Sequence, residues 1–305
     1  MYDLIVVGGG PAGLTAAMYA IRKRLNVLMV TRDLGGKTNY HLALPWIEEY
    51  QVIRGLEVVN KFKGELEYLD FARHMEPVEK ITRHQNGDGP YFTVHTRAGG
   101  ELQARAVIIA TGTRQERLNV PGEKEYIMRG LCYSALSYAP LFIEKNTVVI
   151  GDGDLALRST AELATVAYHV TLVRSNGGKQ QSPLYNKLSA ASNVTILEGY
   201  KVIAVLGEDY ARSVVVQDAH GKEQEIPADG TFIEMGLDPN TSMVSDLVEL
   251  DEQGRIKIDN ANRTSVPGLF AAGDATTVVA EQVLVALGEG AKAALSAYDY
   301  LLPML

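Results

Sequence analysis

The chain has 305 residues, 46% hydrophobic and 22% charged, and its 29 Lys and Arg against 37 Asp and Glu give a formal net charge of −8. That length supports two domains with separate cores, and the apolar content excludes a disordered chain. The acidic balance argues against nucleic acid as the main partner, since phosphate neutralisation needs a basic face, and a single cysteine, Cys132, excludes an internal disulfide or a cysteine-based metal cage.

Cys132 reads as a small buried hydrophobe. The histidines His41, His74, His84, His95, His169 and His220 lack the short helical spacing of a metal pair, so no metal is expected. A strand begins directly at Tyr2-Asp3-Leu4-Ile5, without a basic leader, and no apolar run reaches the length of a membrane span, which leads to the expectation of a cytoplasmic protein without membrane contact.

In chain order, Leu4-Ile5-Val6-Val7 predicts a buried strand that gives way to Gly8-x-Gly10-x-x-Gly13 and a helix through about Arg24, with Arg22-Lys23-Arg24 as its solvated end. A second strand follows at Asn26 to Val30. This strand–glycine turn–helix–strand unit is a dinucleotide-binding fingerprint: the glycines allow a tight turn, close approach of a pyrophosphate and close helix packing, with phosphate at the helix N-terminus. Thr31 stands where many such units carry an acid for a ribose hydroxyl, with Asp33 the nearest substitute. Gly35-Gly36 offers a second close backbone approach to a ligand.

Val58 to His74 reads as a helix and Tyr91 to His95 as an alternating strand. Ala106 to Ala110 is a buried strand delivering Thr111-Gly112-Thr113 to a tight exit, and the first crossing between domains falls near Arg114 to Glu116. From Asn146 the arrangement repeats: Val148-Val149-Ile150, then Gly151-x-Gly153-x-x-Ala156 and a helix, then Val170 to Val173. This is a duplication at domain scale. Strands are expected at Val194 to Leu197, Lys201 to Leu206, Ser213 to Gln217 and Thr231 to Met235. After Gly236-Leu237-Asp238-Pro239-Asn240-Thr241 the chain returns to the first domain, where Leu269 to Ala272 carries Gly273-Asp274 to a turn and Gln282 to Leu301 forms a long helix.

Together with Ala110-Thr111-Gly112, Ala271-Ala272-Gly273-Asp274, Gln282 and Gly288-Glu289-Gly290, these motifs resemble the low-molecular-weight thioredoxin reductase family of FAD flavoproteins over nearly the whole chain. The resemblance implies an α/β protein of two Rossmann-like, doubly wound three-layer domains. Residues 1–115 and 243–305 would form a discontinuous FAD domain, and 116–242 an inserted NAD(P)-binding-like domain. It implies a homodimer. It also implies that Gly8, Gly10, Pro11, Ala12 and Gly13 cradle the FAD pyrophosphate, with Gly35, Gly36, Ala110, Thr111, Gly112, Gly273 and Val283 around the cofactor. Asp274 would accept a ribityl hydroxyl, and Gln282 would lie by the isoalloxazine edge at a helix N-terminus that favours reduced flavin.

The departures from the family are the informative part. Where it places a redox Cys-x-x-Cys followed by an acid, this chain has Ser134-Ala135-Leu136-Ser137-Tyr138, and a hydroxyl has no accessible disulfide state. Cys132, two positions away, is alone. The second nucleotide site, expected at Gly151, Gly153, Asp154, Ala156 and Arg174, has drifted as well. The arginine cluster that binds a 2′-phosphate in relatives is reduced to Arg174 and Lys179, and Asp152 puts like charge where a diphosphate would lie, whereas Asp154 suits a helix N-cap. NAD(P)H binding is therefore in question, and a second flavin is an alternative occupant. Tyr126, Tyr133 and Tyr138 surround the missing dithiol, as rings packed at an interface or stacked on a flavin face.

The expectation is an FAD-dependent oxidoreductase that does not reduce thioredoxin and takes electrons from a redox protein such as ferredoxin or from a second flavin rather than NADPH. Two alternatives stand beside it. One is an NAD(P)H-dependent flavin or ferredoxin reductase, whose relatives carry a C-terminal extension over the flavin where this sequence stops after its last helix. The other is a non-catalytic flavin-binding sensor or scaffold.

Overall fold

A computed structural model describes residues 1–47, 55–87, 89–176 and 182–305. The chain divides into two compact units, Met1–Asn39 with Ile53–Arg114 and Asp238–Leu305, and Tyr40–Val52 with Gln115–Leu237. Tyr40–Ile47 thus packs with the second unit although it sits in sequence between parts of the first. It sends Leu42 and Leu44 into that unit's core, and Trp46 meets Phe142 edge-on at 5.6 Å between centroids.

The first unit opens with β1 (Tyr2–Val7), α1 (Pro11–Arg22) and β2 (Val27–Val30). The helix stops at Arg22, before the predicted Arg24, because Arg24 takes a positive φ of 61° that turns the chain toward β2. Arg22 and Lys23 lay their side chains over Phe62 and Tyr298. The predicted helix over Val58 to His74 is instead α2 (Gly55–Tyr68), a short 3-10 turn and β3 (Arg73–His74). Pairing of Met29 with Arg73 and Val30 with His74 wins these residues for the sheet. Two antiparallel strands follow, β4 (Val78–Asn86), which has no counterpart in the sequence reading, and β5 (Gly89–Thr96). β6 (Glu101–Ile109) is longer than predicted because its first half pairs with β5.

The chain then crosses to the second unit through β7 (Thr113–Gln115). There it forms α3 (Glu123–Tyr126), β8 (Leu131–Cys132), α4 (Ala135–Tyr138), β9 (Asn146–Ile150), α5 (Asp154–Ala164), β10 (His169–Arg174), α6 (Pro183–Ser189) and β11 (Val194–Glu198). β12 (Lys201–Gly207), β13 (Ala211–Gln217) and β14 (Glu223–Pro227) make a separate antiparallel sheet, and β15 (Gly230–Ile233) rejoins the parallel one. β14 is exposed at four of its five residues, a polar edge strand without the alternation that marks its neighbours. The return passage β16 (Leu237–Pro239) pairs with β7, and Arg114 and Asp238 form an ion pair at 2.7 Å. β17 (Leu269–Ala271) and α7 (Val283–Leu301) complete the first unit.

The first sheet runs β3-β2-β1-β6-β5-β4, with β17 also pairing β6. Because successive strand residues point to opposite faces, Leu4 and Val6 pack with α1, α2 and α7, while Ile5 and Val7 pack on the far side with Ile81, Phe92 and Ile256. Both faces are covered, which is why β1 reads as an unbroken apolar run. The second unit repeats the plan in the order β11-β10-β9-β15-β8. Val149 and Phe232 face the helices, and Val148 and Ile233 face the antiparallel sheet.

α7 lies against the start of α1, where a Cβ on Gly290 would sit 2.1 Å from the Ala12 carbonyl oxygen. Gly290→Ala is therefore expected to push α7 off α1 at a cost of about 1–3 kcal/mol, seen as a lowered urea midpoint with an unchanged slope. An unshifted midpoint would show that the contact yields freely. Among the described residues no helix is long and apolar enough to cross a membrane, and no group of His, Cys, Asp or Glu could hold a metal ion.

Candidate functional site

In each sheet the connections reverse direction at one point, and open α/β sheets bind ligands outside the carboxyl ends of the strands there. In the first unit this point lies between β1 and β6. Gly8 follows β1 and Ala110 follows β6, with the Ala110 amide donating to the Val7 carbonyl at 2.7 Å. A Cβ on Gly8, whose φ is +109°, would meet the Ala110 carbonyl oxygen at 2.3 Å, and one on Gly13 would meet the Gly8 oxygen at 1.9 Å. Gly10 faces open space, and no side chain or acidic first-turn residue caps α1. Two glycines thus close the turn, and the third leaves a helix N-terminus bare for an anion. Gly273, at φ +77°, brings its turn against Ala12.

Asp33 does not stand free for a ribose. Its carboxylate accepts the Gly36 amide at 3.0 Å and so fixes the Gly35-Gly36 turn, while Thr31 donates its hydroxyl to the Asp33 carbonyl at 2.7 Å. The predicted carboxylate Asp274 is only 18% exposed and pairs with Lys37 at 2.9 Å, and the same ammonium reaches the Thr113 hydroxyl at 2.5 Å. Lys37 ties together three segments of this unit: the Gly35-Gly36 turn, the exit after Gly112 and the Gly273-Asp274 turn. Sequence reading named Thr113 only as part of the exit after β6 and missed Lys37; the signal was a lysine directly after a glycine pair in a phosphate-type loop. Thr111 donates to the Asn240 carbonyl at 2.6 Å, holding the exit of β6 against the returning chain. Gln282 is the N-terminal flanking residue of α7, and Val283 is its first residue. These features fit FAD: a tight glycine cradle, an uncapped helix N-terminus and a partly buried carboxylate on the turn that meets Ala12.

The second unit has its reversal between β9 and β15, so Gly151 is to Glu234 what Gly8 is to Ala110. A Cβ on Gly151 would lie 2.2 Å from the Glu234 carbonyl oxygen. Glu234 itself is 3% exposed, and its carboxylate accepts the amides of Ser134 at 3.2 Å and Ala135 at 2.7 Å. It therefore holds the serine loop onto the end of β15. Ser134 takes φ 90°, unusual for a residue with a Cβ, and its hydroxyl donates to that of Ser137 at 3.1 Å. Sequence reading extended the strand through Met235 and so passed over Glu234, a charge directly after a buried strand end.

Cys132 is wholly buried, and loss of hydration, with the nearby Glu234 charge, pushes its thiol well above the ordinary range. Tyr126 lies in the core with its hydroxyl on the Gly207 carbonyl at 2.7 Å. Burial, then the charge of Glu123, pushes Tyr133 up to about 12, and Tyr138 is half-buried.

At the glycine turn of this unit Gly153, not Asp154, is the N-cap of α5, and Asp154 is the first helical residue. The extended backbone of Gly153 suits the cap without a side chain. Ala156 packs in the core. Asp152 is fully engaged: it accepts the Ser175 hydroxyl at 2.5 Å and the Asn176 amide at 3.1 Å. Arg174, 4% exposed, donates to Glu198 at 2.9 Å and to the Asp152 carbonyl at 3.0 Å and stacks on Tyr185. Lys179 lies outside the described residues.

The profile described as pyridine nucleotide-disulphide oxidoreductase matches residues 2–290. The F component of alkyl hydroperoxide reductase from Staphylococcus aureus is 35% identical over 303 residues, 99% of this chain and 59% of the relative; its counterpart from Pseudomonas aeruginosa is 34% identical over 305 residues, 99% and 58%. The chain thus spans less than two thirds of these relatives. Among solved structures, a thioredoxin reductase from Streptococcus pyogenes matches with TM-score 0.88 at 34% identity, covering 99% of each chain. One from Giardia duodenalis matches with TM-score 0.86 at 28% identity, also covering 99% of each. With the fold, the paired glycine turns and the match over nearly its whole length, the chain belongs to the pyridine nucleotide-disulphide oxidoreductase family and is an FAD flavoprotein of thioredoxin reductase-like fold.

Proposed function

We propose that this chain is an FAD-dependent oxidoreductase whose electrons leave the flavin without passing through a dithiol, so that it does not reduce thioredoxin. The observation that carries the reading is the hydroxyl pair Ser134 Oγ and Ser137 Oγ, 3.1 Å apart, at the place where the resemblance puts the redox disulfide. Oxygen at those positions cannot form a reducible bond. The one thiol, Cys132, is buried and held protonated. Tyr138 stands in the position of the acid with a phenol in place of a carboxyl.

FAD would rest with its pyrophosphate on Gly8, Gly10, Pro11, Ala12 and Gly13 and its ribityl chain by Asp274. When bound it supplies hydride and single-electron chemistry. Lys37 would hold Asp274 in place and put a fixed positive charge at that end of the cradle. Electron input comes from a redox protein such as ferredoxin, or through an occupant of the second unit other than NADPH. The working form is a cytoplasmic homodimer.

The test is anaerobic reduction of the yellow holoprotein by reduced ferredoxin, NADH and NADPH in separate titrations, followed by a thioredoxin-coupled disulfide assay. Bleaching of the flavin by ferredoxin or NADH, without thioredoxin-dependent turnover, is the expected result. Sustained turnover with thioredoxin overturns the reading.

A further inference from the structure

Asp274 is 18% exposed, and a charge that gives up hydration must be offset by a partner. That partner, Lys37, arrives from a turn fastened to the glycine cradle. The Gly35 amide donates to the Gly9 carbonyl at 2.7 Å, and the Thr38 hydroxyl donates to the Gly35 carbonyl at 2.7 Å. A Cβ on Gly36, whose φ is +58°, would lie 3.1 Å from the Cα of Gly10. From this anchored base the lysine reaches Asp274 at 2.9 Å and the buried Thr113 hydroxyl at 2.5 Å. Two of the three ammonium protons are thus engaged, and among the described residues nothing accepts the third.

The surroundings make Lys37 the cation that sets the local charge. Arg255, the other cation acting on this cluster, is matched within its own turn by Asp251 at 2.7 Å. Glu281, directly before Gln282, adds a second carboxyl. Lost hydration and then the charge of Asp274 push it above the usual carboxylate range, while Lys37 and Arg255 pull it down. Without Lys37, the Gly273-Asp274 turn and the start of α7 would hold two carboxyls and no cation of their own.

The sign of this charge matters to a flavin. Uptake of two electrons and one proton leaves the isoalloxazine ring with one negative charge, so a bare carboxylate nearby opposes the reduced form and spares the oxidised one. The oxygens of Asp274 suit a ribityl hydroxyl, but its charge works against reduction.

We infer that Lys37 cancels the charge of Asp274 toward the flavin, so that a carboxylate kept for its acceptor oxygens does not lower the flavin's reduction potential. Lys37 is then a redox-tuning residue. The inference rests on the proposed seat of FAD in the first unit and on no assignment of the electron donor.

The experiment is the midpoint potential of the FAD-loaded protein, from anaerobic titration with dithionite against a reference dye, together with the dissociation constant of oxidised FAD. No protein or nicotinamide donor takes part, so the outcome is independent of which of them reduces the flavin. A unit charge acting over about 10 Å at an effective dielectric near 20 changes an equilibrium about tenfold. Lys37→Met is therefore expected to weaken binding of reduced relative to oxidised flavin about tenfold, which lowers a two-electron potential by about 30 mV. Lys37→Arg keeps the charge and is expected to stay within about threefold of the unaltered ratio. Asp274→Asn leaves the ammonium unopposed and should move the ratio about tenfold the other way, while the paired variant Lys37→Met with Asp274→Asn should return it to within about threefold.

A purely structural tie would weaken both redox states alike and leave the potential where it was. An unchanged potential in Lys37→Met, an equal fall in Lys37→Arg, or a fall that persists in the paired variant would each overturn the inference. If Lys37→Met emerges without flavin, Asp274→Asn decides: a raised potential supports the role of Lys37, and an unchanged or lowered one counts against it. Unaltered protein that takes up no FAD would remove the seat and the inference together, whereas flavin-loaded variants with an insensitive potential would remove the inference alone.

Discussion

Gly13→Val is expected to yield protein that purifies colourless and takes up no added FAD. A Cβ at this position would lie 1.9 Å from the Gly8 carbonyl oxygen and 3.4 Å from the Ala110 side chain. The obstacle is backbone of the turn itself, which cannot rotate away as a side chain could. Relief requires α1 to back away from the strand end, which opens the cradle and costs about 1–3 kcal/mol or more of packing. Flavin absorbance per chain after gentle isolation is the measurement. The control is Gly64→Ala on α2, where an added Cβ meets nothing within 4 Å. There the gain in helix propensity is worth about 1 kcal/mol and the protein should stay yellow. A fully flavinylated Gly13→Val protein would show that the first glycine turn is not the coenzyme's seat.

The paired substitution Ser134→Cys and Ser137→Cys is expected to form a disulfide in air. The hydroxyl oxygens are already 3.1 Å apart, and longer carbon–sulfur bonds bring two sulfurs toward the bonding distance of about 2.05 Å. Thiol titration of the denatured protein should find two fewer reactive groups before reduction than after it. No difference would mean that the loop's geometry has been lost along with its chemistry. Once reduced, these thiols should alkylate slowly. The Glu234 carboxylate accepts the Ser134 and Ala135 amides, so its negative charge lies at the point where a thiolate would form. Glu234→Gln in the same background keeps an acceptor oxygen for those amides and removes the charge, so alkylation by iodoacetamide near neutral pH should rise by up to about tenfold for each unit by which the thiol pKa falls. An unchanged rate would place Glu234 as a brace for the loop without electrostatic effect on it.

The glycine turn after β1 could be read from the chain because its requirements are local. Gly8, Gly10 and Gly13 are spaced by the turn they make, and the apolar run from Leu4 to Val7 announces a strand buried on both faces. Val78 to Asn86 escaped notice because four of its last five residues are exposed and its pairing with β5 is set by contact with residues further along the chain. The helix predicted through His74 ended early for the same kind of reason: Arg73 and His74 gain a partner in β2 that no local preference foretells.

The sequence by itself determined the two glycine turns, the strand–helix order around them and the absence of a dithiol, since each depends on residue type and short spacing. Only the tertiary structure decided what the charged residues do. Lys37 meets Asp274 across 237 positions, Glu234 meets Ser134 across 100, and Arg174 meets Glu198 across 24. A buried charge is defined by the partner that offsets its lost hydration, and that partner is supplied by sheet order, which brings distant strand ends together.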